Sequence, residues 1–310
     1  MASTNTSIEW TDATWNCVTG CSKVSPGCAH CYAERLAPKV FAGQMTVEMK
    51  SRPEGGAYPV ERKRQFTDVR CHEDRLDQPL RWRKPRRIFV NSMSDLFHED
   101  VPDDFIDRAF AVMALAPRHT FQILTKRAER MQAYVQSRKY PNVVVHMMAI
   151  LQNADSPHST PDAGWPLPNV WLGVSVENQH FYDERIGKLL RTPAAVRFIS
   201  YEPALGPLDL RMGGMSMPDY ADLNPLPKLD WLIVGGESGP GARPFDLAWA
   251  RSIVQQCQTA GVPVFVKQLG AKPITTYDNG AQVYDVPLRD RKGGDIDEWP
   301  ADLRVRQFPG

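Results

Sequence analysis

The chain has 310 residues, 42% of them hydrophobic, which is enough to bury a substantial core and falls within the size of a single α/β barrel. Its 37 Lys plus Arg balance 36 Asp plus Glu, so no net field draws in nucleic acid or an anionic membrane, and any such attraction has to be local. Residues 1–7 are polar and lack the order of a signal peptide, and no stretch reaches the roughly 18 apolar residues of a membrane span, so the expectation is a cytoplasmic protein with no membrane partner.

In chain order, a first strand is predicted near 14–18, followed by a cysteine-rich loop and a helix over 32–40. Residues 42–86 break the rhythm and read as an insertion. From position 86 onward, short β-rich runs alternate with helix-like segments, the pattern of parallel strands joined by crossover helices. Residues 87–91 read as a strand, and the helix that starts near Pro102 keeps Phe105, Ile106, Ala109, Phe110 and Met113 at helical spacing. A strand at 121–124 and a helix at 128–136 follow. After an irregular stretch at 152–168 come a strand at 170–174 and a helix at about 180–191. Strands at 196–200 and 231–234 flank a Pro/Gly/Met-rich insertion at 206–229, and a helix at 248–260 leads into a last strand at 262–266. About seven βα units result. The fold class is α/β, a complete or partial (β/α) barrel over 1–270, with 271–310 as a C-terminal extension packed on it.

A barrel gathers its chemistry at the strand C-terminal ends. Polar clusters stand there in succession: 91–95, 125–127, 175–177, 200–202, 235–238 and 267–268. Six such loops in a row favour a shared cavity over six separate solvated turns.

Four of the six cysteines crowd between positions 17 and 31, which in a reducing compartment points to metal rather than disulfides, while Cys71 and Cys257 stand apart as ordinary thiols. Six residues separate Cys21 from Cys28 and two separate Cys28 from Cys31, a close pair suited to one metal centre. A [4Fe-4S] cluster held only by Cys21, Cys28 and Cys31 leaves one iron open to bind the amino and carboxylate groups of S-adenosylmethionine (SAM) and to pass an electron to its sulfonium. Two other readings stay open. Cys17, Cys21, Cys28 and Cys31 could hold structural zinc in a non-catalytic, zinc-stabilised nucleic-acid-binding protein. Cys28 and Cys31 could instead cycle as a disulfide in a thiol redox protein.

Residues 6–16, Gly20-Cys21, Pro26-Gly-Cys28 and Cys31-Tyr-Ala-Glu34 resemble the opening of a phage-associated family of unknown function that is grouped with radical SAM enzymes. The likeness continues through 89–98, 124–127, 171–178, 200–203, 234–239 and 298–304. The resemblance implies a [4Fe-4S] cluster, SAM as cofactor, an electron donor such as flavodoxin or ferredoxin, and cleavage of SAM to methionine and a 5′-deoxyadenosyl radical that attacks a substrate the sequence does not name. The sequence also departs from the superfamily's pattern. The first cysteine gap is six residues where three is commonest, Cys17 stands where the family has proline, and residues 91–95 replace the Gly-Gly-Glu expected after the second strand, which appears instead as Gly235-Gly-Glu237.

By position, the resemblance places His30 near the SAM adenine, Ser92, Ser94 and Asp95 at its ammonium, Lys126 or Arg127 at its carboxylate, and Ser175 and Glu177 at its ribose. Glu202, Glu237 and Lys267 are left as cavity candidates for substrate contact or proton transfer. For each, the blander reading is a barrel-rim salt bridge. The cluster Arg81-Trp-Arg-Lys-Pro-Arg-Arg87, with Glu61-Arg-Lys-Arg64 nearby, makes a nucleic acid or nucleotide a candidate substrate, a solvated basic face being the plainer explanation.

Overall fold

The computed structural model describes residues 6–137, 164–211, 226–277, 280–283 and 286–310. Most of the irregular stretch expected at 152–168 and of the insertion expected at 206–229 lies outside these residues. Seven parallel strands form one sheet in sequence order: β1 (Ala13–Trp15), β2 (Arg87–Val90), β3 (Thr120–Thr125), β4 (Val170–Val176), β5 (Val196–Tyr201), β6 (Trp231–Gly235) and β7 (Val264–Gln268). Five helices accompany them among the described residues: α1 (Tyr32–Val40), α2 (Asp103–Leu115), α3 (Ala128–Ser137), α4 (Gln179–Arg191) and α5 (Leu247–Ala260). β7 does not pair back onto β1, so the sheet is a curled, open half-barrel, the partial member of the two alternatives.

The strands are apolar almost without a break because both faces are covered. On the convex face Ile88, Val90, Ile123, Leu172, Val174, Leu232 and Val234 pack with helix residues such as Phe105, Ile106, Ala109 and Met113. On the concave face Phe89, Phe198, Trp231, Ile233 and Phe265 form a second cluster that Trp10 closes from the N-terminal side. Trp10 lies 4.7 Å from the Phe89 ring, and Phe308 stacks on Trp231 at 5.4 Å, so both chain ends fill the base of the half-barrel. β4 has room for this plug at Gly173, where an added Cβ would come within 2.5 Å of the Phe198 ring. Gly173→Ala is therefore expected to destabilise the protein by about 1–3 kcal/mol through overpacking. Urea unfolding checks this, and an unchanged midpoint would mean that the ring has space to retreat.

Several boundaries differ from the periodicity by one or two residues or more, and two of the differences have a plain local cause. The last strand starts at Val264 rather than 262, because Gly261 ends α5 in the left-handed region and Val262 N–H still caps the Cys257 carbonyl at 2.9 Å. The first strand stops at Trp15, because Val18–Thr19 leaves the sheet to pair antiparallel with Arg70–Cys71. That pairing ties down the insertion. Its outer part is a largely exposed hairpin, Met45–Ser51 with Ala57–Lys63. Its base is held by buried Arg64, whose guanidinium donates to Thr19 O at 2.9 Å and lies 3.9 Å from the Phe41 ring. Residues 305–307 run along the sheet edge. Val266 N–H donates to Val305 O at 2.8 Å and Gln307 N–H to Val264 O at 2.9 Å, an antiparallel strip that covers the β7 edge.

Candidate functional site

After β1 the chain passes through the core at Cys17 and turns at buried Gly20, whose φ is +93° and where a Cβ would come within 2.6 Å of Asp68 O. Only glycine allows this turn. It presents Cys21, whose N–H donates to Phe66 O at 2.9 Å. A short turn at Pro26–Cys28 then carries Cys28, and Cys31 occupies the N-cap of α1.

The three cysteines line one cavity of about 150 Å³ at the C-terminal ends of β2 and β3, together with Ser92, Ser94, Asp95, Lys126, Arg127 and Ser175. A second cavity of about 190 Å³ shares Cys31, Tyr32, Lys126 and Ser175 with the first. It extends past His30, Ser200, Glu202, Glu237 and Lys267 over a floor of Trp10, Phe89 and Leu124. Around these two cavities stand Cys21, Cys28 and Cys31 and every residue assigned to SAM or left as a cavity candidate except Glu177, which lies behind the wall.

Cys17 is fully buried in the sheet–helix core, with its Sγ on Asn91 Oδ1 at 3.5 Å, and burial pushes its thiol far above the usual range. A four-cysteine zinc site would need this side chain, and it does not line the cavity. Among the described residues, no three His, Cys, Asp or Glu side chains are close enough to share a single metal ion. Cys21, Cys28 and Cys31 line the same cavity, so their thiols are the sulfur donors available to a cluster there.

The polar side chains are strongly committed. Burial and the Asp95 charge push the Cys21 thiol up to about 11, against the opposing pull of Arg127. Asp95 accepts from Thr125 Oγ1 at 2.8 Å, Phe97 N–H at 3.0 Å, Lys126 N–H at 3.2 Å and Arg127 at 3.3 Å. Ser94 Oγ donates to Gly20 O at 2.6 Å, and Ser92 Oγ to Asn16 Oδ1 at 3.2 Å. Lys126 Nζ stands in the shared wall, 2.8 Å from Ser175 Oγ and 3.3 Å from Glu177 Oε1. Glu177 itself is fully buried. It accepts from Ser25 Oγ at 2.7 Å and Arg185 at 3.3 Å, with Gly27 lying so close that a Cβ there would come 2.6 Å from the carboxylate. Its visible work is to pin the cysteine loop to β4.

Glu237 pins the same loop from the other side. It accepts from His30 Nδ1 at 3.0 Å and from Arg243 at 2.7 Å, and Arg243 also donates to Pro26 O at 3.0 Å. Burial alone would raise its carboxyl, but Arg243 and His30 outweigh it and hold the group near 2. Glu202 and Lys267 form an ion pair at 2.5 Å across the second cavity. Sequence reasoning did not single out the anchors Ser25, Gly27, Arg185 and Arg243. Only Gly27, inside the Pro-Gly-Cys run, carried any local signal.

The basic-cluster residues lie outside the site. Arg87 opens β2 at the end of the sheet opposite the cysteines and pairs with Asp12 at 3.1 Å, Arg81 pairs with Asp77 at 2.5 Å, and Arg64 is buried. None of them lines either cavity. No described helix is long and apolar enough to cross a membrane. Neither the curated proteins nor the solved structures contain a match to the chain. Residues 5–292 match the family described as Protein of unknown function (DUF5131), and the chain belongs to that family.

Proposed function

We propose that this member of the family is a radical SAM enzyme, with a [4Fe-4S] cluster on Cys21, Cys28 and Cys31 and SAM in the adjoining cavity. The carrying observation is that three cysteines, with Cys17 withdrawn into the core, line one cavity at the strand C-terminal ends and share a wall with a second, charged cavity. Cys21, Cys28 and Cys31 would hold a cluster with one iron free of thiolate, which would supply reductive cleavage of SAM to methionine and a 5′-deoxyadenosyl radical able to abstract hydrogen from the substrate. The electron comes from a donor such as flavodoxin or ferredoxin.

The chain's own residues then have distinct tasks. Lys126, in the wall common to both cavities, is the cation for the SAM carboxylate. Ser92 and Ser94 with the nearby Asp95 charge suit the ammonium, and the His30 ring, fixed by Glu237, suits the adenine. Ser175, hydrogen-bonded to Lys126 in the wall of both cavities, would take a ribose hydroxyl. Trp10, Phe89 and Leu124 keep water from the cavity floor, which protects a reactive species from side reactions. Glu202 and Lys267 face the substrate side and can hold or move a proton. A nucleic-acid substrate gains no support from the basic cluster, which lies away from both cavities.

The test is anaerobic reconstitution of the full chain, with iron and sulfide analysis, followed by dithionite and SAM and a search for 5′-deoxyadenosine. About four iron and four sulfide per chain with that product are expected. A sample with a complete cluster that forms none of it would rule the reading out.

A further inference from the structure

We propose that Arg127 is the positioning residue of Cys21, the isolated first ligand, an inference that rests on the cluster reading above. Cys28 and Cys31 are held relative to each other by one turn and the start of α1. Cys21 has no such neighbour. It is separated from them by the six-residue loop 22–27, and its backbone is tied to other parts of the fold, at Phe66 and next to the Gly20–Ser94 bridge. A long first gap therefore leaves the direction of one sulfur to be fixed by something outside the loop.

Arg127 does this. Its side chain is nine-tenths buried, and its planar fork meets a partner at every donor. Nε donates to Glu99 Oε2 at 2.9 Å. One terminal nitrogen donates to Cys21 Sγ at 3.6 Å and Asp95 Oδ2 at 3.3 Å. The other donates to Ser22 Oγ at 2.7 Å and Ser22 O at 3.3 Å. With all five N–H groups engaged, Arg127 has none left for a cofactor carboxylate, which is why Lys126 takes that task. Asp95 and Glu99 fix the guanidinium from behind, and Cys21 and Ser22 are what it holds. A charge-assisted hydrogen bond onto a metal-bound thiolate draws electron density off the sulfur and makes the cluster easier to reduce.

The experiment compares the full-length wild type with Arg127→Gln and Arg127→Lys after anaerobic reconstitution. It measures iron and sulfide content, loss of iron to a chelator, and midpoint potential by EPR-monitored titration. Arg127→Gln is expected to titrate lower, by roughly a tenfold shift in the reduction equilibrium, or about 59 mV for one electron, and to lose iron faster. Arg127→Lys should fall between, because it restores the charge but not the fork. If the Gln variant does not fold, the Lys variant decides. A folded variant that no longer takes up iron counts for the assignment. A variant that loads fully and titrates with the wild type overturns it while the cluster reading stands, and a wild type that takes up no iron overturns both.

Discussion

Cys21→Ala, Cys28→Ala and Cys31→Ala are each expected to abolish the cluster and 5′-deoxyadenosine formation, whereas Cys17→Ala keeps both. In a cluster held by three thiolates each sulfur is the sole protein ligand of its iron, so no neighbour can replace a lost one. Loss of an outer-shell partner already costs roughly 10–100-fold in metal affinity, and loss of a ligand should exceed about a hundredfold. Cys17 differs because it is a core residue, buried and hydrogen-bonded to Asn91 at 3.5 Å. Its removal should cost about 1 kcal/mol of packing and no iron. Anaerobic reconstitution of the four variants side by side, with iron analysis and product assay, separates the cases. If Cys17→Ala loses iron together with the other three, a fourth thiolate completes the shell and no position remains for SAM.

The seven strands were legible because parallel strands covered on both faces leave short apolar runs with polar residues at their C-terminal ends. The cysteine loop was legible from spacing alone. Direction at the strand ends was not. Lys126 and Arg127 are neighbours in sequence, yet Lys126 reaches Ser175 in the wall shared by the two cavities and Arg127 reaches back to the cysteine loop. Periodicity cannot make that distinction, because it fails where a strand turns into a loop. Glu177 reads like Glu202, each two residues after a serine that is next to last in its strand. One is fully buried under Gly27 while the other faces the second cavity, and the difference is made by Ser25, 152 positions away, and by Arg185 on α4. The openness of the barrel was equally hidden, since it depends on the chain ends, Trp10 and the strip around Val305, occupying the base and the free edge.

That buried carboxylate gives the largest expected change in stability. Glu177→Ala removes the buried carboxylate that faces Arg185, a side chain only 2% exposed that keeps Ser175 O as an acceptor at 2.7 Å, and takes the same carboxylate from Lys126 and Ser25. Breaking a buried ion pair by deleting one partner costs about 3–5 kcal/mol, because the remaining charge stays in the interior uncompensated. Against a total stability of about 5–15 kcal/mol, such a loss leaves the protein near its unfolding threshold. Glu177→Gln keeps the shape and an acceptor for Ser25 Oγ but not the charge, so its cost should be smaller, about 1–3 kcal/mol. The substitution should also weaken iron retention although no ligand is touched, because Ser25 and Gly27 lose the group against which the cysteine loop is seated. Urea unfolding of the apo protein isolates the first effect, and chelator competition on the reconstituted protein reads the second. Arg185→Met combined with Glu177→Ala should cost less than the sum of the two single changes, since the double variant leaves no charge stranded on that side. Strict additivity, or a Glu177→Ala midpoint no lower than that of a surface change, would show that the pair does not carry the loop.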